Sequence, residues 1–304
     1  MPSSSADSLY AAIRKTAGLV DVPCEHAKVR PLVDAFADLL PQAAILFRVA
    51  TDARHAGEMN CHMMMLPSSV DPHARAQSAG LLPRTDHPVG TLLSDIEERF
   101  PVGSYGLDFG LVGGFQKAWS CFPGDEMQSL PELARLPSMP PSVAGNMGFF
   151  RRYGLAEKIT LIGMDYARRT MNVYFGEVDD CLTPEAVRSM LHDLDMPEPS
   201  EQMLAFTRQA FGFYATLSWD SPKIERFCYS AITPDPLALL ERVDPKIEHF
   251  LREIPYGADD PKAVYVATSP GEGEYYKVQA YYQWRPRLVN HMHTETPPTT
   301  GRPD

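Results

Sequence analysis

Three basic residues, Lys117, Arg226 and Lys277, stand in segments where charge alternates with aromatic and small side chains at a spacing of two. In an extended strand that spacing puts residues on one face. Lys117 then shares its face with Trp119 and Cys121, Arg226 with Cys228 and Ser230, and Lys277 with Gln279, Tyr281 and Gln283. Asn172 with Tyr174, and Gly212 with Tyr214 and Thr216, repeat the pattern in two further segments. Cations delivered by separate strands can converge on several oxygens of a diphosphate. Ring faces beside them stabilise a carbocation by roughly 0.5 to 2 kcal/mol each. Such a set suits a diphosphate joined to an apolar allyl tail. The pattern alone equally allows ordinary strand residues whose charged heads reach solvent at strand ends.

For these side chains to meet, their strands must close around them. Aromatic and β-branched enrichment, period-two alternation and intervening turn residues predict strands at 44–51, 58–66, 104–111, 115–122, 158–166, 170–175, 210–219, 223–233, 263–269 and 274–284. Helical stretches are expected at 8–17, 27–40, 71–79, 89–100, 130–134, 142–153, 184–193, 200–209, 236–242 and 246–252. The order is two helices followed by two strands, five times over, a repeat of elements with little repetition of residues. Short links within each strand pair make antiparallel hairpins. The expected architecture is α+β: a closed ten-stranded antiparallel β-barrel built from five ααββ repeats, sheathed by an outer ring of helices. An array of about ten strands encloses room for ligands.

Composition narrows the function classes. The 304 residues carry 28 Lys and Arg against 39 Asp and Glu, a net charge of −11. General binding to nucleic acid or to an anionic membrane needs a basic surface, so neither is expected. An anionic ligand has to meet a local cluster of cations. No apolar run reaches the roughly 18 to 20 residues of a membrane span, and the first residues lack a signal-peptide pattern, so a cytoplasmic location is expected. Five scattered cysteines without a C-x-x-C pair read as reduced thiols. One domain over residues 1–290 is expected, with a polar, Pro-rich and disordered tail at 291–304.

Several longer stretches carry a resemblance: GGFQKAWSCF (113–122), LPSMPPSVAGN (136–146), RYGL (152–155), MDYARRTMNVYF (164–175), FYATLSWDSPKIER (213–226) and EYYKVQAYYQW (274–284). With them the chain resembles the bacterial aromatic prenyltransferases of the ABBA, or PT-barrel, fold over nearly its whole length. The resemblance implies diphosphate binding by Lys117, Arg168, Asn172, Tyr214, Arg226 and Lys277, with Arg169 as the alternative to Arg168. It places an aromatic acceptor near Trp119, Thr160, Gly212, Ser230, Val264, Gln279 and Tyr281. Magnesium-using members of the family carry an Asp where RHAGEMNCHMM has Asn60. A neutral amide is a poor sole anchor for Mg²⁺, and His62, two positions on, stands where metal-independent relatives place a basic residue. Turnover without a metal cofactor is therefore expected, with His62 made cationic by the bound diphosphate.

The implied reaction is a Friedel-Crafts alkylation. Lys117, Arg226, Lys277, Arg168 and Tyr214 stabilise the departing diphosphate, while Trp119, Tyr174 and Tyr281 shield the allyl cation. Phe47 and Trp119, read as flanking the donor chain, favour dimethylallyl diphosphate over geranyl diphosphate. A planar dihydroxynaphthalene, phenazine or carbazole type of acceptor suits a ring-lined lumen. Two other classes compete: a noncatalytic barrel carrying an apolar ligand, which has no use for inward cations, and a hydrolase built on Asp108 or Asp165 with a histidine.

Overall fold

The computed structural model describes residues 5–51, 57–124, 126–240 and 243–286. The segment 291–304, expected to be disordered, lies outside the described residues. Ten strands form one sheet: β1 (Ala44–Ala50), β2 (Asn60–Pro67), β3 (Ser104–Gly110), β4 (Gly114–Cys121), β5 (Ile159–Asp165), β6 (Thr170–Phe175), β7 (Gly212–Ser218), β8 (Arg226–Thr233), β9 (Lys262–Ser269) and β10 (Gly273–Gln283). Every neighbouring pair is antiparallel, and β1 pairs with β10 as well as β2, so the sheet closes into a barrel without an open edge. The closing seam runs from Ile45 opposite Gln283 to Ala50 opposite Lys277. Two or more α-helices precede each hairpin, as the ααββ repeat predicts.

Strands buried along their whole length have two covered faces. Outward residues such as Ile45, Val49, Leu107, Ile162, Val173, Phe213, Phe227 and Val278 join one apolar layer with the inner sides of the helices. This layer, between barrel and helix ring, is the hydrophobic core, and it leaves the other strand face free to be polar. The prolines punctuate this arrangement: Pro72, Pro184 and Pro245 open α3 (Pro72–Ser78), α8 (Pro184–Asp193) and α11 (Pro245–Glu253) behind Asp71, Thr183 and Asp244, whose side chains cap the first turns.

Three helical expectations change. The stretch at 27–40 is an α-helix only over His26–Ala35, followed by a 3-10 turn at Ala37–Leu39. The stretch at 142–153 is broken into α6 (Pro141–Gly145) and α7 (Met147–Arg152), because the Asn146 amide donates to the Ser142 and Pro222 carbonyls and ties the chain to the β7–β8 turn. The stretch at 89–100 is helical only as α4 (Leu92–Glu97), following a 3-10 turn at Pro88–Gly90. Among the described residues no helix is long and apolar enough to cross a membrane, and all five cysteines are free thiols.

Candidate active site

Alternation carries the polar residues of ten strands into one chamber. Arg48, Lys117, Arg226 and Lys277, from β1, β4, β8 and β10, are each no more than 7% exposed. Two buried carboxylates, Asp108 on β3 and Asp165 on β5, share the space. Arg48 lies 3.3 Å from Asp108, and Lys117 lies 3.1 Å from Asp165. Lys277 and Arg226 have no carboxylate within 4.0 Å among the described residues. Lys277 instead donates to the Tyr214 hydroxyl at 2.9 Å, and both cations stand over the Tyr214 ring. The chamber thus holds more positive than negative charge in a place where charge is costly to bury. Arg48 Nε and Arg226 Nε are buried donors without a partner among the described residues.

Electrostatics record how close these cations are. Burial, with added repulsion from Arg226, Arg48 and Lys117, holds the Lys277 ammonium well below the ordinary lysine range. Burial also lowers Lys117, with Asp165 opposing. For Asp108, burial alone would raise the carboxyl, but His62, Arg48, Lys117 and the Asn60 amide outweigh it and hold it below the usual range. Asp165 is held down in the same way by Lys117 and Arg168.

The expected anion-binding residues meet here. Asn172 accepts from Thr216 at 2.7 Å, and its amide reaches the Tyr174 hydroxyl at 3.4 Å. Trp119 Nε1 donates to that same hydroxyl at 3.0 Å. Arg168, with a side chain 32% exposed, lies at the rim, where its backbone N–H and its guanidinium both engage Asp165. Arg169, its neighbour, is exposed at φ +55° in the turn; of the two, Arg168 is the one joined to the site. With Arg48 and Lys277, the chamber is lined by Trp119, Tyr174, Thr160, Gly212, Ser230 and Gln279.

Three expectations are corrected. Phe47 points outward and packs on Tyr256 and Tyr282 beneath the helices, because Leu46 and Arg48 are the inward residues of β1. Val264 is likewise in the outer layer; its neighbour Tyr265 faces the lumen and donates to Gln279 at 3.0 Å. A step of one residue reverses the face. Tyr281 is on the inward face but away from the cations, packed with Ala44, Leu46 and Trp284, and its hydroxyl has no partner among the described residues. It stands in the wall opposite Leu46 and is not among the residues that line the chamber. Burial, with Arg48, Lys117 and Lys277, holds the His62 imidazole down to about 3 against the opposing pull of Asp108; its expected cationic form belongs to the diphosphate-bound chamber. The ring is stacked on Trp119, with Gln279 Nε2 3.5 Å from its Nδ1.

Asn60 uses its amide nitrogen toward both Asp108 at 2.9 Å and Gln116 at 3.0 Å. An Asp there would set one carboxylate against another and lose both donors. The carboxylates suggested for a hydrolase are tied into ion pairs with Arg48, Lys117 and Arg168. The residue the sequence reading missed is Arg48. A lone Arg among the apolar residues of β1, two positions from Leu46, was the available signal.

Comparison with known proteins agrees with this geometry. The sequence model of the family described as "Aromatic prenyltransferase Orf2" matches residues 4–292. The chain is 52% identical over 287 residues to flaviolin linalyltransferase of Streptomyces virginiae, covering 94% of this chain and 95% of that one. It is 45% identical to 5,10-dihydrophenazine-1-carboxylate 9-dimethylallyltransferase of Streptomyces anulatus, covering 94% and 96%. Among solved structures, 5-dimethylallyl tryptophan synthase from Streptomyces coelicolor, in complex with DMASPP and Trp, superposes with a TM-score of 0.53 at 12% identity over 99% of both chains, a likeness of fold.

Proposed function

Because the chain belongs to the aromatic prenyltransferase family and prenylates aromatic substrates, we propose that Arg48, Lys117, Arg226 and Lys277 hold the diphosphate of a short allyl donor, beneath a ring-lined space for the acceptor. The observation that carries this reading is the buried cation cluster itself, four side chains against two carboxylates in one aromatic chamber. A carrier of apolar ligands gains nothing from such a cluster.

The chemistry follows from the arrangement. The cations and the Tyr214 hydroxyl stabilise charge growing on the leaving diphosphate as the allylic C–O bond breaks. Trp119, Tyr174 and Tyr214 present ring faces to the allyl cation and exclude water. The acceptor ring, held near Thr160, Ser230 and Gln279, donates its electron pair to form the new C–C bond. Its ring proton then leaves to a diphosphate oxygen, Ser230 or water, and the ring becomes aromatic again. Asn172 and Arg168 complete the anion site by orienting Tyr174 and Asp165.

The donor is dimethylallyl or geranyl diphosphate. With Phe47 outside the barrel, Trp119 alone is left to favour the five-carbon donor, and the relative that is 52% identical transfers a linalyl group. The acceptor is a dihydroxynaphthalene, phenazine or carbazole type of ring; the relative that is 45% identical is named for a dihydrophenazine carboxylate. The reaction runs in the cytoplasm and without a metal cofactor. Asn60, committed to Asp108 and Gln116, leaves no carboxylate at the position magnesium-using members employ, and the cations supply the positive charge a metal would bring. Mass spectrometry of products from both donors against a panel of naphthols and phenazines tests the assignment. Turnover is expected to persist unchanged in EDTA, and abolition by EDTA with recovery on adding Mg²⁺ would refute the metal-free reading.

The lowered Lys277 pKa gives a pH dependence. Diphosphate binding needs the ammonium form, which is complete at low pH and is lost as pH rises through a value below that of an ordinary lysine. The kcat/KM for donor is therefore expected to fall on the alkaline side, and Lys277→Arg to move that limb to higher pH. An alkaline limb unmoved in Lys277→Arg would assign it to another group.

A further inference from the structure

Across β3, β4 and β5 the inward face is built in rungs. Asp108 is opposite Lys117, which is opposite Asp165; two residues along, Gly106 is opposite Trp119, which is opposite Gly163; beyond them Ser104, Cys121 and Leu161 form a third rung. Successive rungs are roughly 6 to 7 Å apart, two residues of strand. The first is ionic, the second consists of one indole between two residues that have no side chain.

The space around the indole is closely used. A Cβ at position 163 would lie 2.7 Å from Trp119 Nε1 and 2.8 Å from its Cδ1. A Cβ at position 106 would lie 3.2 Å from Trp119 Cε3 and 2.4 Å from Met64 Sδ. The indole therefore rests along the barrel wall in a slot that exists because both neighbours are glycine. It is fixed there by its bond to the Tyr174 hydroxyl and by stacking on His62, with ring centroids 5.3 Å apart. The two ends of the slot differ. Met64 is a flexible side chain that can turn away, whereas the indole beside Gly163 is rigid and hydrogen-bonded.

We propose that Gly163, supported by Gly106, sets the length of donor this enzyme accepts. This rests on the diphosphate reading above. With the diphosphate on the ionic rung, the allyl tail runs along the chamber past the indole. A five-carbon tail lies alongside Trp119, and a second isoprene unit has to pass it toward the rung of Ser104, Cys121 and Leu161. While the indole lies in its slot the passage is open. An alanine at 163 puts a methyl group where the indole now lies, the indole leaves its slot toward the lumen, and the second unit loses its path.

The test uses unreactive S-thiolodiphosphate analogues of the dimethylallyl and geranyl donors, so that no acceptor need be known. Their dissociation constants are measured calorimetrically for the natural protein, Gly163→Ala, Gly106→Ala and the double variant Gly163→Ala/Trp119→Phe. Gly163→Ala is expected to weaken the geranyl analogue roughly tenfold or more while changing the dimethylallyl analogue by about twofold or less. Gly106→Ala should show a smaller effect of the same sign. The double variant should bring the ratio of the two constants back toward its original value, since a benzene ring leaves room for the new methyl group. An unchanged ratio in Gly163→Ala, equal weakening of both analogues and of inorganic pyrophosphate, or no recovery in the double variant overturns the inference and leaves the diphosphate reading standing. If the natural protein binds neither analogue, both fall.

Discussion

Lys277→Ala is expected to lower turnover by roughly two to three orders of magnitude, the cost of removing one preorganised group from a developing anion. Lys277 touches Tyr214, stands beside Arg226 and has no nearby carboxylate among the described residues, so its charge is directed at substrate. Arg226→Ala should cause a loss of the same order. In both variants kcat should fall more than the donor KM rises, since the diphosphate gains charge as the C–O bond breaks. Steady-state kinetics over a range of donor concentrations separates the two. Rates near those of the natural protein in both variants would leave the reaction without a home in this chamber.

Asp108→Ala should act first on stability. Asp108 is fully buried, and it holds Arg48 at 3.3 Å and the Asn60 amide at 2.9 Å. Removing one partner of a buried ion pair costs about 3 to 5 kcal/mol, because the other charge is left uncompensated. Chemical denaturation should report a loss of that size. Inorganic pyrophosphate should then stabilise the variant more than the natural protein, since an anion takes over part of the neutralisation of Arg48. The folded Asp108 carboxyl titrates below its unfolded value, so its contribution is fully present above the unfolded pKa of about 4 and is lost as pH falls through the lower folded value. The denaturation midpoint of Asp108→Ala should therefore converge on that of the natural protein in acid. A variant as stable as the natural chain at neutral pH would show that Arg48 needs no counter-ion.

The barrel was legible because its strands announce themselves twice, by β-branched and aromatic content and by alternation. Lys117, Arg226 and Lys277 were legible for the same reason: each lies on a strand whose other face is plainly apolar. Where both faces are buried and both carry large side chains, the choice of face was open. Phe47 and Val264 are the cost of that ambiguity; the inward residues are their neighbours Arg48 and Tyr265. Tyr281 has the correct face but stands four residues along its strand from Lys277, opposite Leu46 and packed against Ala44 and Trp284. The state of His62 is a property of the whole cluster. Burial sets it first, and Arg48, Lys117 and Lys277, each on another strand, add to it.

The seam between β1 and β10 joins backbone groups that stand 225 residues apart, as where the Thr51 N–H donates to the Tyr276 carbonyl. Lys277 is on the strand that makes this seam. During synthesis, then, nine strands can emerge and pair before the tenth completes the wall. No partly made chain has both the full set of charges and a lumen shut off from water. The capacity to release a reactive cation arrives in a single step, with the last hairpin, when the vessel that must contain it is also finished.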